Sequence, residues 1–407
     1  MLRLYQRWTE MLISNAVVCD VNGERCVDVR VEEGVVVEIG KNLHDSEVID
    51  AKGAYLLPSL VDLNVRLKDA TLNAKNIQRV AKEAKEGGIG HIVLNADSRP
   101  AIDDEVILEF AQNGTKDIED VKVDFMLNAL KEDISLANIA ILLKKGVVAP
   151  YMSTIAKNNI AIKVAEYVQM YGVTLFCKAE DNSLINAGVM LDGDVSSRLG
   201  LAGIPELSEV LHVSRMIEIA RHFKINILFK SIASPRSVEL ITKAKKEGVG
   251  VSCEVSIHHL VHCDKACEGF NTTAKLNPPL ASHDDMLALQ EALKRGEIDL
   301  LTTLHQPNSP LNKEVAFYDA AYGCEGLREA LPLYYTKLVK TGIMSMRELL
   351  KLTVINPSKM IQKKKGFIEV GSKADFVLFD TKSEQVIKNA HSLYDGEQLT
   401  GEVKTIS

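Results

Sequence analysis

The sequence predicts an α/β protein: a (β/α)8 TIM barrel carrying a small composite β-sandwich made by the N- and C-terminal segments. Two observations lead there. From Leu56 onward, short apolar runs alternate with amphipathic helical stretches, eight units in succession. Before and after that stretch the chain is β-prone, with no helical period.

The head, residues 11–54, holds the runs LISNAVVCD, VDVRVEEGVVVEIG and SEVIDAKGAYLL. Asn22-Gly23 and Glu33-Gly34 punctuate them as hairpin turns, because both dipeptides tolerate positive φ. Barrel strands are then expected at 60–65, 90–95, 121–127, 146–151, 173–177, 225–230, 250–255 and 298–304. Helical patterns fall at 73–86, 136–145, 206–222, 237–247 and 284–295, and several stop at a charged residue followed by Gly. Residues 326–350 also read as helix. The tail turns β-rich again in GFIEVGSKADFVLFD, 366–380. The predicted domains are therefore 1–55 together with 366–407, and a barrel over 56–365.

At 407 residues, 46% hydrophobic and 25% charged, the composition is that of an ordinary globular protein. A formal net charge of −7 argues against nucleic-acid or anionic-membrane binding. Seven scattered cysteines fit a reduced cytoplasm better than a disulfide framework. The opening MLRLYQRWTE lacks the apolar core of a secretory signal, so a cytoplasmic location is expected.

Some motifs carry less than they suggest. His258, His259, His262, Cys263 and Cys267 have a spacing seen in zinc sites, but a structural role is the stronger reading. Gly87-Gly88-Ile89-Gly90 lacks phosphate-loop spacing and serves as a helix stop.

The segments PSLVDLNVRLKD, SRPAID, KAEDNSL, LNPPL, TLHQP, YGCEGLREALPL and GFIEVGSKADFVLFD resemble the dihydroorotase branch of the amidohydrolase superfamily. That resemblance implies a barrel with a composite sandwich and a zinc site at the strand C-ends. It also implies hydrolysis or closure of a cyclic amide in pyrimidine synthesis. The D-x-H-x-H-x-R motif of such enzymes falls on Asp62, Asn64, Arg66 and Lys68. The remaining metal positions fall on Met152, Lys178, Ser231 and Leu304, the last where the family has its aspartate base. None is a usual zinc donor. Lys68, Asn277 and His305 stand at positions of the family's substrate pocket and read as its vestige, and Asp97 replaces an asparagine there.

Three outcomes compete. The leading expectation is a catalytically inactive homologue without cofactor, a structural partner of aspartate transcarbamoylase or of itself. The alternatives are an active cyclic amidohydrolase of the dihydroorotase type with an unusual or metal-free site, and a sensor of an anionic metabolite. Arg66, Lys68 and Lys178 would form a cationic pocket for the latter; the stronger reading is that Arg66 and Lys178 pair with acids such as Asp62 or Glu180 and fill the vacated metal cavity.

Overall fold

The computed structural model describes residues 10–132, 134–153 and 156–404; the opening segment read above for a signal lies, apart from Glu10, outside them. Five strands lead the chain: β1 (Glu10–Asp20), β2 (Gly23–Glu32), β3 (Val35–Gly40), β4 (Val48–Asp50) and β5 (Tyr55–Pro58). Five barrel strands follow: β6 (Leu60–Val65), β7 (Ile89–Leu94), β8 (Lys122–Asn128), β9 (Ala149–Met152) and β10 (Thr174–Lys178). Two short strands, β11 (Met190–Leu191) and β12 (Gly203–Ile204), pair in a loop excursion. The barrel then resumes with β13 (Asn226–Lys230), β14 (Val251–Ser256) and β15 (Leu300–Thr302), and the tail adds β16 (Phe376–Val386) and β17 (Gln398–Lys404). The main helices are α1 (Ala74–Glu86), α2 (Glu105–Asn113), α3 (Ile139–Lys144), α4 (Asn158–Tyr171), α5 (Asp194–Leu199), α6 (Leu207–Phe223), α7 (Pro235–Lys246), α8 (Ile257–Val261) and α9 (His283–Lys294).

The eight barrel strands form one sheet in the order β15-β14-β13-β10-β9-β8-β7-β6, every pair parallel. Its two end strands are joined by a side chain. Asp62 on β6 accepts from Thr302 Oγ1 at 2.7 Å, from Thr303 N at 2.8 Å and from Thr303 Oγ1 at 2.6 Å. All six residues of β6 are buried, as a strand covered on both faces must be.

Head and tail form one mixed sheet, β17-β16-β5-β1-β2-β3, with β4 beside β1. Ile13, Val29, Val31, Leu56, Phe376 and Leu378 belong to its own small core, separate from that of the barrel.

Local chemistry explains the helix ends. Asn73 caps α1 by accepting from the Asn76 amide, and Ile77, Val80, Ala81 and Ala84 form its buried stripe. At the far end Gly87 packs so tightly that a Cβ there would lie 1.9 Å from the Leu327 carbonyl oxygen. Gly88 follows at φ +79°, where a side chain would be strained.

The differences from expectation have local causes. The fourth barrel strand starts at Ala149 because Gly146, at φ +95°, ends α3 first. The eighth stops at Thr302 because Leu304 takes φ +46°. Residues 326–350 are broken into Ala330–Tyr334, a wider turn at Tyr335–Val339, and Met346–Leu350 after Gly342 at φ +76°. The helices α2, α4 and α5 lie outside the helical patterns named from the sequence. Among the described residues, no helix is long and apolar enough to cross a membrane.

Candidate active site

The C-terminal ends of the barrel strands converge on a polar cluster. Buried Asn64, inside β6, uses both ends of its amide. Its Nδ2 donates to Glu254 Oε1 at 2.6 Å and Ser231 Oγ at 2.7 Å. Its Oδ1 accepts from Asn95 Nδ2 at 3.1 Å and Arg66 Nη1 at 3.0 Å. Three of the positions singled out in the sequence, Asn64, Arg66 and Ser231, thus meet directly.

Lys230, on β13, is the buried cation of the cluster. Its ammonium donates to the Leu63 carbonyl and, at 3.0 Å, to Asn95 Oδ1, and it sits 5.4 Å from the Phe176 ring centre. Burial pushes its pKa down to about 8, while the carboxylate of Glu254 works the other way. Burial likewise raises the Glu254 carboxyl, and the Lys230 charge opposes it.

Above this layer stand two exposed-facing ion pairs. Arg66 Nε donates to Asp97 Oδ2 at 2.8 Å, and Lys178 Nζ to Glu180 Oε1 at 2.8 Å. Burial acts against the Arg66 charge, but Asp97 more than offsets it and keeps the guanidinium protonated. Arg66 therefore pairs with Asp97 and not with Asp62, whose carboxylate is taken up by the threonines of the barrel seam.

Two cavities open onto this layer. The mouth, about 310 Å³, is lined by residues that include Arg66, Asp97, Tyr151, Lys178, Asn277 and Gln306. Beneath it lies a chamber of about 20 Å³ reaching Glu180, Lys230 and Ser231. Arg66, Tyr151, Lys178 and Asn277 line both, and so form the neck between them.

The other predicted positions lie elsewhere. Met152 is fully buried on β9, and Leu304 is buried just past β15. Lys68 sits in the turn Lys68–Ala70 and lines neither cavity. His305 faces α1, its Nε2 3.3 Å from Glu83 Oε2, and its Nδ1 accepts from the amides of Gly326 and Leu327 at 3.4 Å. Asn277 does reach the site, and its buried Oδ1 has no hydrogen-bond partner among the described residues.

The histidine-rich segment is structural. His259 bonds Ser256 Oγ through Nδ1 at 2.7 Å and the carbonyls of Pro278 and Pro279 through Nε2 at 3.2 Å, which holds the loop bearing Asn277. His258 lies between Tyr394 and Cys324. Burial pushes His258 down to about 3 and His259 to about 4, so both are neutral.

The zinc implied by the family resemblance does not fit these residues. Among the described residues no three His, Cys, Asp or Glu side chains are grouped to hold a metal. The positions in question offer an amide, a hydroxyl, two apolar groups, a guanidinium and an ammonium, and the last two repel a cation.

The amidohydrolase family profile matches residues 55–405. The chain belongs to the amidohydrolase family. It is 34% identical to a dihydroorotase of Ruminiclostridium cellulolyticum over 97% of this chain and 96% of that protein. A dihydroorotase of Acetivibrio thermocellus is likewise 34% identical, over 97% and 96%. In fold it matches the L-hydantoinase (dihydropyrimidinase) of Arthrobacter aurescens with a TM-score of 0.87 at 22% identity, covering 97% and 94% of the two chains.

These relatives correct the expectation of a catalytically inactive structural homologue. Proteins named dihydroorotase, an enzyme, align at 34% identity with nearly the whole of this amidohydrolase, and nothing in the comparison shows inactivation. Missing imidazoles do not amount to a missing site. The same strand ends carry a different set of charged and polar groups around a cavity. Sequence reading missed Lys230, Glu254, Asn95 and Tyr151 as members. A charged residue inside the apolar runs INILFK and GVSCEV was the available signal for the first two.

Proposed function

We propose that this amidohydrolase hydrolyses, or in reverse closes, a cyclic amide of the dihydroorotase type at the barrel mouth, through a site that does not rely on zinc. The observation that carries this reading is the near-full-length similarity, at 34% identity, to proteins named dihydroorotase. The mouth suits such a ligand in size and chemistry. A cavity of about 310 Å³ holds a small ring, and Lys178 offers charge to a carboxylate. Gln306 and Asn277 offer amide groups to the ring N–H and C=O edges.

The experiment is to incubate the purified chain with dihydroorotate, and separately with N-carbamoyl-aspartate, and to follow interconversion by chromatography. Turnover that falls at least about tenfold in Lys178→Met, the equivalent of 1.4 kcal/mol, is expected. Absence of conversion in both directions would overturn the reading.

A further inference from the structure

We propose that Arg66 is the electrophile of this site, its guanidinium polarising the scissile carbonyl in the role a metal ion would otherwise fill. The inference rests on the cyclic-amide reading above and adds the catalytic group to it.

Three observations converge on Arg66. It is one of the neck residues, shared by the mouth and the inner chamber. Its fork is fixed on two sides, by Asp97 on Nε and Asn64 on Nη1, while among the described residues no bond to Nη2 is seen. Its main chain is anchored as well, for the Arg66 amide donates to the His305 carbonyl at 2.9 Å across the barrel seam. A cation so fixed needs no reorganisation when negative charge develops beside it, and that is the property an oxyanion-stabilising group requires.

The chamber supplies the other reactant. At about 20 Å³ it accommodates a single water, since one water needs roughly 10–15 Å³ of such volume. Glu180 lines it, held by Lys178 at 2.8 Å. The water oxygen adds to the carbonyl carbon as one of its protons passes to the Glu180 carboxylate, and the carbonyl oxygen takes up negative charge against Arg66. The tetrahedral adduct collapses, the C–N bond breaks, and the nitrogen leaves with the proton held by Glu180. The new carboxylic acid releases its own proton to solvent, and Glu180 is restored.

The test compares wild type with Arg66→Gln and Arg66→Lys. Arg66→Gln should lower kcat by about 100-fold, the usual cost of one oxyanion donor, with partial recovery on adding guanidinium chloride at non-denaturing concentration. Arg66→Lys keeps the charge that Asp97 needs and guards against loss of fold; it should lower kcat by at least about tenfold while KM stays within about threefold, because the fork is lost. Wild-type turnover should survive dialysis against a chelator. Turnover abolished by the chelator and restored by zinc would overturn the role of Arg66 and the zinc-free site, and leave only the cyclic-amide substrate class standing. Wild-type kcat retained in Arg66→Lys would overturn the role of Arg66 alone. No turnover by wild type would overturn the cyclic-amide reading itself.

Discussion

Asn64 and Glu254 meet inside the barrel, with Nδ2 of the one 2.6 Å from Oε1 of the other. The contact ties β6 to β14 and places a carboxylate next to the buried ammonium of Lys230, whose ionisation it supports.

Glu254 is the largest of the negative charges that support the buried Lys230 ammonium, so its removal weakens that support. Glu254→Leu should destabilise the fold by about 3–5 kcal/mol. The double variant Lys230→Met/Glu254→Leu should recover most of that loss, because both desolvation costs vanish together. Urea denaturation of the three proteins is the check; a double variant no more stable than Glu254→Leu alone would refute the coupling.

Asp62 closes the barrel. It accepts from Thr302, from the amide and hydroxyl of Thr303, and from the Asn64 amide at 2.9 Å. Asp62→Asn turns one acceptor into a donor facing donors, so a loss of about 2–4 kcal/mol is expected. Hydrogen exchange should show the amides of β15 losing protection before those of β9.

Acid should weaken the contact between α1 and the loop after β15. Burial acts against the Glu83 carboxylate, but His305 and Arg79 more than offset it and bring its pKa from 4.5 to about 2. A depressed folded value means the stabilisation is complete above about pH 4.5 and drains away as pH falls toward 2. Glu83→Gln should therefore flatten the stability–pH curve in that window by about 3 kcal/mol. An unchanged acid limb would discount the pair.

Zinc should neither copurify in stoichiometric amount nor stabilise the protein. A site filled at 100 times its Kd would add about 2.7 kcal/mol, a shift that calorimetry resolves readily. Elemental analysis and melting curves with and without zinc decide it.

Much of this architecture was legible in the chain. Parallel strands buried on both faces stand out as apolar runs, and β6 reads that way even with Asp62 and Asn64 inside it. The replacement of imidazoles by Asn64 and Arg66 was equally visible. What was not legible is how the substitutes act together. Asp97, Glu180 and Asn277 lie far apart in sequence, and only the fold sets them around one pair of adjoining cavities. Glu83, within a charged helix, looks like a surface residue until His305 is seen against it. The expectation of inactivity rests on what the strands lack, and a sequence does not show what the same strand ends build instead.

The sheet shared by head and tail has a consequence for biosynthesis. β5 pairs with β16, and the Ser59 hydroxyl donates to Asp375, a partner 316 positions later. As the chain emerges from the ribosome, the leading strands have one edge without its eventual neighbour until almost everything else has been translated. An unpaired edge is a template for foreign strands. Nascent chains should therefore be most vulnerable to self-capture during elongation, and a chaperone that covers that edge should raise the yield more than one acting after release.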